Sequence, residues 1–240
     1  MLDPLHQFII KPIFNIKIAG VDLSFTNSSF AVLVAVIMIY LLFSISIKGK
    51  KMIPDRMQAL SEIAYYFIAG LIDENIGSKG QKYFPFVFSI FLFILFGNLV
   101  GMIPYMFTYT SHIIVTFTLA MIVFLFVTIL GFVRHGLKFF RILAPEGVPT
   151  LLLPLLVPVE LISYLSRPIS LSIRLFANMM AGHTMMKVFA GFAVMLGMYG
   201  VAPIAVNAVL TGFEIAISML QAYIFTILTC VYLNDAVYLH

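Results

Sequence analysis

The composition of this 240-residue chain is that of an integral membrane protein, since 62% of its residues are hydrophobic and only 10% are charged. Soluble domains contain about half apolar and about a quarter charged residues, so a soluble domain is excluded. The 14 Lys and Arg against 10 Asp and Glu give a net charge of +4. In a membrane protein this excess reports orientation, and no nucleic-acid partner is predicted. The single cysteine, Cys230, excludes an internal disulfide.

Uncharged stretches predict the first three membrane spans. After an outer N-terminal segment, 1–22, residues 23–47 form a charge-free span that leads into a basic loop. Residues 83–133 remain charge-free over 51 positions. One crossing takes about 20 helical residues, so this stretch crosses twice as a helical hairpin. Gly101, Pro104 and the polar cluster Thr108–His112 mark its turn.

The segment between the first span and this hairpin, residues 57–76, is predicted to be an amphipathic helix on the membrane surface. Its apolar residues recur at helical spacing, while charged residues occupy other positions. The predicted apolar face consists of Leu60, Ile63, Ala64, Phe67, Ile68 and Leu71.

Residues 151–235 contain two apolar segments that are each longer than 30 residues. As helices they extend about 45 to 50 Å, which exceeds the bilayer core and predicts strong tilt. We therefore expect an all-α integral membrane protein with a single membrane domain of five spanning helices and one amphipathic surface helix. The last two helices form a long, tilted hairpin. The basic loops place the N-terminus outside and the C-terminus on the cytoplasmic or matrix side.

Arg174 is the charge that most needs a function, because it lies deep in a predicted span. A cation there costs at least about 2.5 kcal/mol. Ser170, Arg174 and Asn178 recur every four residues and share one helix face, beside the small residues Ala177 and Ala181. This face is predicted to meet another helix. The alternative is a structural ion pair.

A second polar group is predicted on the opposite side of the same hairpin. His183 is nine positions from Arg174 and points about 180° away on a straight helix. On the last helix, Thr211, Glu214, Ser218 and Gln221 form one polar stripe with Glu214 as its only acid. An antiparallel hairpin brings His183 and Glu214 to similar depth. We interpret them as a proton-binding pair in an outer aqueous cavity, with a purely structural hydrogen bond as the alternative.

Two further acids mark the other end of this hairpin. Glu160 begins the fifth helical segment and Asp235 ends the last one, so both are expected near the inner surface. They line an inner cavity or are simple interfacial charges.

Three stretches resemble the a subunits of F-type ATP synthases. Residues 167–183 read RPISLSIRLFANMMAGH, residues 97–104 read GNLVGMIP, and residues 220–233 read LQAYIFTILTCVYL. The resemblance covers essentially the whole chain from the first span onward. It implies a non-catalytic, proton-translocating stator subunit that needs no cofactor and through which proton flow drives rotation and ATP synthesis. The chain has no phosphate-binding loop.

The resemblance also implies roles for individual residues. Arg174 matches the essential arginine that faces the rotating ring of subunit c. The ring-facing polar neighbours are Ser170, Asn178 and Gln221. The outer half-channel residues are His183, Glu214 and Ser218. The inner half-channel residues are Glu160 and Asp235. Several bacterial members carry the acid on the fifth helix and the histidine on the sixth, whereas the order here resembles alphaproteobacterial or mitochondrial members.

The implied partners are the ring of subunit c, the peripheral-stalk subunit b, other synthase subunits, protons and membrane lipid. The implied location is a bacterial or mitochondrial inner membrane. The rival functions are a secondary transporter or channel, in which Arg174 binds an anionic substrate, and a membrane scaffold. A transporter typically has repeats or broken helices, which the sequence does not show. A scaffold needs no intramembrane Arg, His and Glu. Sodium as the coupling ion stays open.

Overall fold

The described part of the chain is almost wholly helical, which confirms the predicted all-α class. The computed structural model describes residues 8–15, 17–18, 21–22, 24–48, 54–103, 106–136, 138–139 and 152–238. The helices are α1 (Asn27–Lys48), α2 (Arg56–Ile76), α3 (Phe84–Gly101), α4 (Ile113–His135), α5 (Leu153–Met195) and α6 (Val201–Val237). Parts of the predicted N-terminal segment and basic loops, and Pro104 of the hairpin turn, lie outside the described residues.

Four of these helical stretches are long and apolar enough to cross a membrane. They are Asn27–Ile47, Ser78–Gly101, Ile113–His135 and Val201–Val237. Helix α5 is not in this group because polar residues such as Arg174, Asn178 and His183 lower its hydropathy. It nevertheless packs along α6, and the fifth span stays a prediction.

The long hairpin of α5 and α6 dominates the second half of the fold. Helix α5 has 43 residues and α6 has 37, so they extend about 64 and 55 Å. A 3-10 turn, Gly197–Gly200, joins them. Gly197 has a φ of +56°, a conformation that glycine adopts most readily. Both helices exceed the bilayer core of about 30 Å, and the predicted tilt is one way in which helices of this length fit it.

Helix α3 lies at the centre of the apolar core, where it packs against α1 and α6. Its buried side chains include Val87 and Ile94, and they join Phe225 and Leu233 of α6 in one cluster. Because α3 has no charged residue, it suits burial among other helices. The core thus fixes α6, and with it the polar stripe of α6, against α3.

Gly97 and Gly101 form a G-x-x-x-G pattern in α3. They leave space for the turn that follows this helix and not for a neighbouring helix. This turn is the 3-10 segment Tyr109–Ser111. A Cβ atom on Gly97 would overlap the Tyr109 ring, and one on Gly101 would lie 2.5 Å from Thr108 Oγ1. The Tyr109 hydroxyl donates to the Phe93 carbonyl at 2.9 Å. The two glycines therefore let the hairpin turn fold back onto α3.

The amphipathic helix α2 packs through only part of its predicted apolar face. Ile68 and Leu71 are buried, but Leu60, Ile63 and Phe67 are exposed. The periodicity of the sequence predicted the apolar face of this helix, but not which residues of that face pack against the rest of the chain. The exposed ones suit contact with lipid, because the membrane buries them as well as protein does.

Short antiparallel strands precede α1, a feature that the sequence analysis did not predict. Strand β1 (Pro12–Phe14) pairs with β4 (Phe25–Thr26), and β2 (Lys17–Ile18) pairs with β3 (Val21–Asp22). Asn27 attaches this hairpin to the start of α1, because its amide Nδ2 donates to the Ile9 carbonyl at 3.1 Å. Strands of two or three residues are too short to leave a recognisable alternation in the sequence.

Candidate functional site

The hairpin of α5 and α6 brings His183 and Glu214 together. His183 Nε2 lies 3.6 Å from Glu214 Oε1, and both residues are nearly fully buried. Met186 and Met179 of α5 also contact Thr211 and Ser218 of α6. These pairings follow one antiparallel register. The geometric argument that places the histidine and the acid at the same depth therefore holds in the structure.

Gly182 makes room for the Glu214 carboxylate. A Cβ atom at this position would lie 2.6 Å from Glu214 Oε1 and 2.7 Å from its Cδ atom. Only glycine at this position lets the carboxylate rest against the α5 backbone. The sequence analysis did not assign Gly182 a role, although its position directly before His183 is a signal in retrospect.

The Glu214 carboxylate lacks hydrogen-bond donors among the described residues, where both of its oxygens are buried and unbonded. The nearest basic group is the His183 ring. A buried carboxylate with so few partners is strongly disfavoured as an isolated anion. It must either take up a proton or pair with a protonated His183. This arrangement can exchange a proton between the two side chains.

The rest of the α6 polar stripe also faces the interior of the chain. Ser218 is fully buried, and its carbonyl accepts a hydrogen bond from Asn98 Nδ2 of α3 at 3.2 Å. Gln221 is 3% exposed. The expected place of Gln221 among the ring-facing neighbours of Arg174 stays a prediction. The spacing of 3, 4 and 3 residues defined the stripe correctly, but Gln221 follows Glu214 and Ser218 inward.

Arg174 lies on the outward side of α5. Ser170, Ala177 and Ala181 are exposed with it, and Asn178 is partly exposed. Leu171, Leu175 and Met179 occupy the buried side of this helix. Within the described part of the chain, no carboxylate forms an ion pair with Arg174. The outward face therefore presents a cation between small side chains, which permit close approach of a helix from another subunit.

At the opposite end of the hairpin, Asp235 is bound to Arg167. Arg167 Nη1 lies 2.7 Å from Asp235 Oδ2, and both side chains are partly exposed. The guanidinium also lies over the rings of Tyr164 and Tyr232, at 5.3 and 4.9 Å. Such contacts hold the guanidinium in one position. The sequence did not predict this partner for Asp235, which was expected to line an inner cavity or to be a simple interfacial charge.

Glu160 and Asp235 belong to one end of the fold but are not in contact. Glu160 is partly exposed and lies seven residues, two helical turns, before Arg167 on nearly the same face of α5. Arg174 lies a further two turns along that face. One side of α5 thus presents Glu160, Arg167 and Arg174 in succession, with Asp235 attached through Arg167.

Comparison with known proteins identifies the family. The sequence profile of the ATP synthase A chain matches residues 28–234. A protein of Pelagibacter ubique named ATP synthase subunit a is 53% identical over 240 residues, covering 99% of this chain and 98% of the relative. Proteins of the same name from Rhodospirillum rubrum and Paramagnetospirillum magneticum are 53% and 48% identical, with complete coverage of both chains in each case. The chain therefore belongs to the ATP synthase A chain family, the non-catalytic, proton-translocating membrane subunits of ATP synthase.

Proposed function

We propose that this chain provides two offset proton half-channels, separated by Arg174, beside a rotating ring of subunit c. The observation that carries the proposal is the outward position of Arg174 on α5, on the side opposite the buried His183–Glu214 pair. A cation exposed to hydrocarbon is costly, so this face requires a partner that supplies negative charge. A carboxylate on each ring subunit meets that requirement.

The outer half-channel leads past His183, Glu214 and Ser218. Protons reach the ring carboxylate through the buried acid and base, which exchange a proton across 3.6 Å. Once neutralised, the ring carboxylate can face lipid without the cost of a buried charge. The ring is then free to turn.

The inner half-channel begins near Glu160 and Asp235. After nearly a full rotation, the ring carboxylate releases its proton at this end and then meets Arg174. Arg167 keeps Asp235 in place through the 2.7 Å ion pair.

Arg174 separates the two half-channels electrostatically. Because a guanidinium stays protonated at all physiological pH values, it attracts an ionised ring carboxylate and repels a proton that would cross directly. Proton flow is thereby coupled to rotation. One charge crossing 100 mV releases about 2.3 kcal/mol, so several protons are needed for each ATP.

The proposed setting is an energy-coupling inner membrane, with the N-terminus outside and the C-terminus on the cytoplasmic or matrix side. The uncharged turn Gly197–Gly200 and the basic residues Arg134 and Lys138 support this orientation. The peripheral-stalk subunit b and the remaining synthase subunits complete the assembly. Ser170 and Asn178 are the proposed polar neighbours of Arg174 on the ring side.

A photo-cross-link tests which face meets the ring. In a Cys230→Ser background of the whole complex, a benzophenone maleimide attached at Ala177→Cys is expected to capture the ring subunit upon illumination. The matched control is Val36→Cys, an exposed position on α1, which packs against α2 and α3. Mass spectrometry of the product identifies the captured chain. Equal capture from both sites, or none from Ala177→Cys in an assembled complex, contradicts the ring-facing assignment.

The space at Gly182 provides a test of the outer half-channel. Gly182→Ala places a methyl group against the Glu214 carboxylate and displaces it from His183. Overpacking of this kind costs about 1 to 3 kcal/mol, and we expect ATP-driven proton pumping to slow several-fold. Gly191→Ala on the same helix is the control, because a Cβ atom there contacts nothing within 4 Å. Equal pumping by the two variants in reconstituted liposomes would refute the importance of this contact.

A further inference from the structure

Thr108 is a buried polar residue that links the end of α3 to the His183 ring. Its side chain is among the buried ones, at 5% exposure. The Thr108 hydroxyl donates to the Gly101 carbonyl at 3.2 Å, and its oxygen lies 3.1 Å from His183 Nε2. One hydroxyl thus contacts both the α3 backbone and the histidine of the buried pair.

The number of available protons determines the direction of these hydrogen bonds. A threonine hydroxyl has one proton to donate, and a carbonyl oxygen can only accept. When Thr108 donates to Gly101, its oxygen must accept from His183, which places a proton on Nε2. The reverse assignment, in which Thr108 donates to His183, gives up the hydrogen bond to the Gly101 carbonyl. The same Nε2 atom lies 3.6 Å from Glu214 Oε1.

The local fold holds Thr108 in this position. Its carbonyl accepts from both the backbone N–H and the side-chain hydroxyl of Ser111, at 3.2 and 2.6 Å. Gly101 leaves the space that the Thr108 side chain occupies, since a Cβ atom there would lie 2.5 Å from Oγ1. The backbone and the side chain of Thr108 are therefore both fixed by residues outside α5 and α6.

We propose that Thr108 is a positioning residue for the His183–Glu214 pair, whose hydroxyl oxygen accepts the Nε2–H of His183 and so holds this ring nitrogen 3.6 Å from the Glu214 carboxylate. The inference rests on the proposed role of this pair in the outer half-channel. Thr108 takes up no proton itself. It acts through His183 by fixing the orientation of the ring. When His183 is protonated on both nitrogens, the Nε2 proton passes to the ionised Glu214 carboxylate, which leaves a neutral acid and a neutral imidazole with its proton on Nδ1.

The charged surroundings of His183 come from α5 and α6. Glu214 faces it from α6, and Lys187 lies one turn further along α5. Helix α3 contributes no charged residue. Near the turn, His112 stacks on Phe107, with 5.1 Å between the ring centroids, and the Tyr109 hydroxyl is bound to Phe93. Thr108 is thus an uncharged partner of His183, so its removal alters hydrogen bonding without altering charge.

The test compares Thr108→Val with Thr108→Ser in the whole complex reconstituted in liposomes. Valine preserves the shape but removes the hydroxyl, so we expect a several-fold slower rate of ATP-driven pumping. We also expect its pH profile to move by about half a unit or more, the effect of one lost hydrogen bond on a titrating group. Serine retains the hydroxyl and should restore both the rate and the profile.

Thr110→Val is the matched control. Thr110 is equally buried in the same turn, but its hydroxyl has no hydrogen-bond partner among the described residues, so this change should leave the pH profile unaltered. An unmoved profile for Thr108→Val, or equal losses with valine and serine, overturns the positioning role. If the valine variant does not assemble, Thr108→Ala, which also lacks the hydroxyl, is used with the same criteria.

His183→Ala and Glu214→Gln in the same preparation distinguish the two levels of the proposal. Normal pumping by these two variants overturns the outer half-channel itself, and Thr108 with it. Loss of pumping in them, together with a wild-type profile for Thr108→Val, overturns only the positioning role.

Discussion

Replacing Arg174 with alanine is expected to abolish ATP-driven proton pumping while the complex remains assembled. The side chain lies on the outward face of α5 and forms no ion pair within the described part of the chain, so its removal breaks no ion pair there. It does remove the cation that attracts an ionised ring carboxylate. Without this charge, a proton can pass between the half-channels without rotation.

The measurement is quenching of an acridine pH probe in liposomes that contain the whole complex, after the ring has been shown to co-purify. Arg56→Ala is the control, since Arg56 is an exposed cation at the start of α2, away from the hairpin. We expect wild-type pumping from the control and background quenching from Arg174→Ala. Normal pumping by Arg174→Ala would refute the central assignment and favour a chain that transports independently of the ring.

The same liposomes report whether Arg174 prevents leakage. When a pH gradient is imposed without ATP, the Arg174→Ala complex should dissipate it faster than the wild type, because the electrostatic barrier between the half-channels is lost. A rate equal to that of the wild type would assign Arg174 to ring attraction alone.

The sequence was sufficient to predict the parts of the fold that depend on hydrophobicity and length. Charge-free stretches longer than a bilayer crossing indicated the spans, and antiparallel geometry predicted that His183 and Glu214 lie close together. Arg174 could be recognised because a cation in an apolar helix is costly wherever it lies. These inferences require only the period of a helix and the thickness of a membrane.

The features that the sequence did not predict depend on which side of each helix packs against the rest of the chain. Periodicity placed Gln221 on the stripe of Glu214, but the inward direction of that stripe is decided by packing against α3 and α5. The Arg167–Asp235 pair joins residues 68 positions apart, and Thr108 contacts a histidine 75 positions away. Such contacts follow from the paths of loops and from the space left by Gly101 and Gly182, which composition does not record.

Glu214→Gln is expected to reduce proton pumping to a small fraction of the wild-type rate without reducing the amount of assembled complex. Glutamine preserves the shape of the side chain but cannot exchange a proton with His183. Both Glu214 oxygens are buried without hydrogen bonds in the described part of the chain, so removal of the acid also lowers the cost of burying this group. Proton pumping should therefore decrease, while the stability of the folded chain should increase.

A loss of pumping without a loss of stability distinguishes a transport role of Glu214 from a structural one. Pumping is measured in liposomes, and assembly is measured as the amount of ring that co-purifies. The matched control is Glu62→Gln, because Glu62 is exposed on α2 and bound to Gln58.

The double variant that combines His183→Glu with Glu214→His exchanges the two groups. It retains one acid and one base across the same helix interface, so it should recover part of the lost rate. Unchanged transport in Glu214→Gln would make Glu214 structural, and loss of assembly in that variant would show that the His183–Glu214 contact holds the hairpin together.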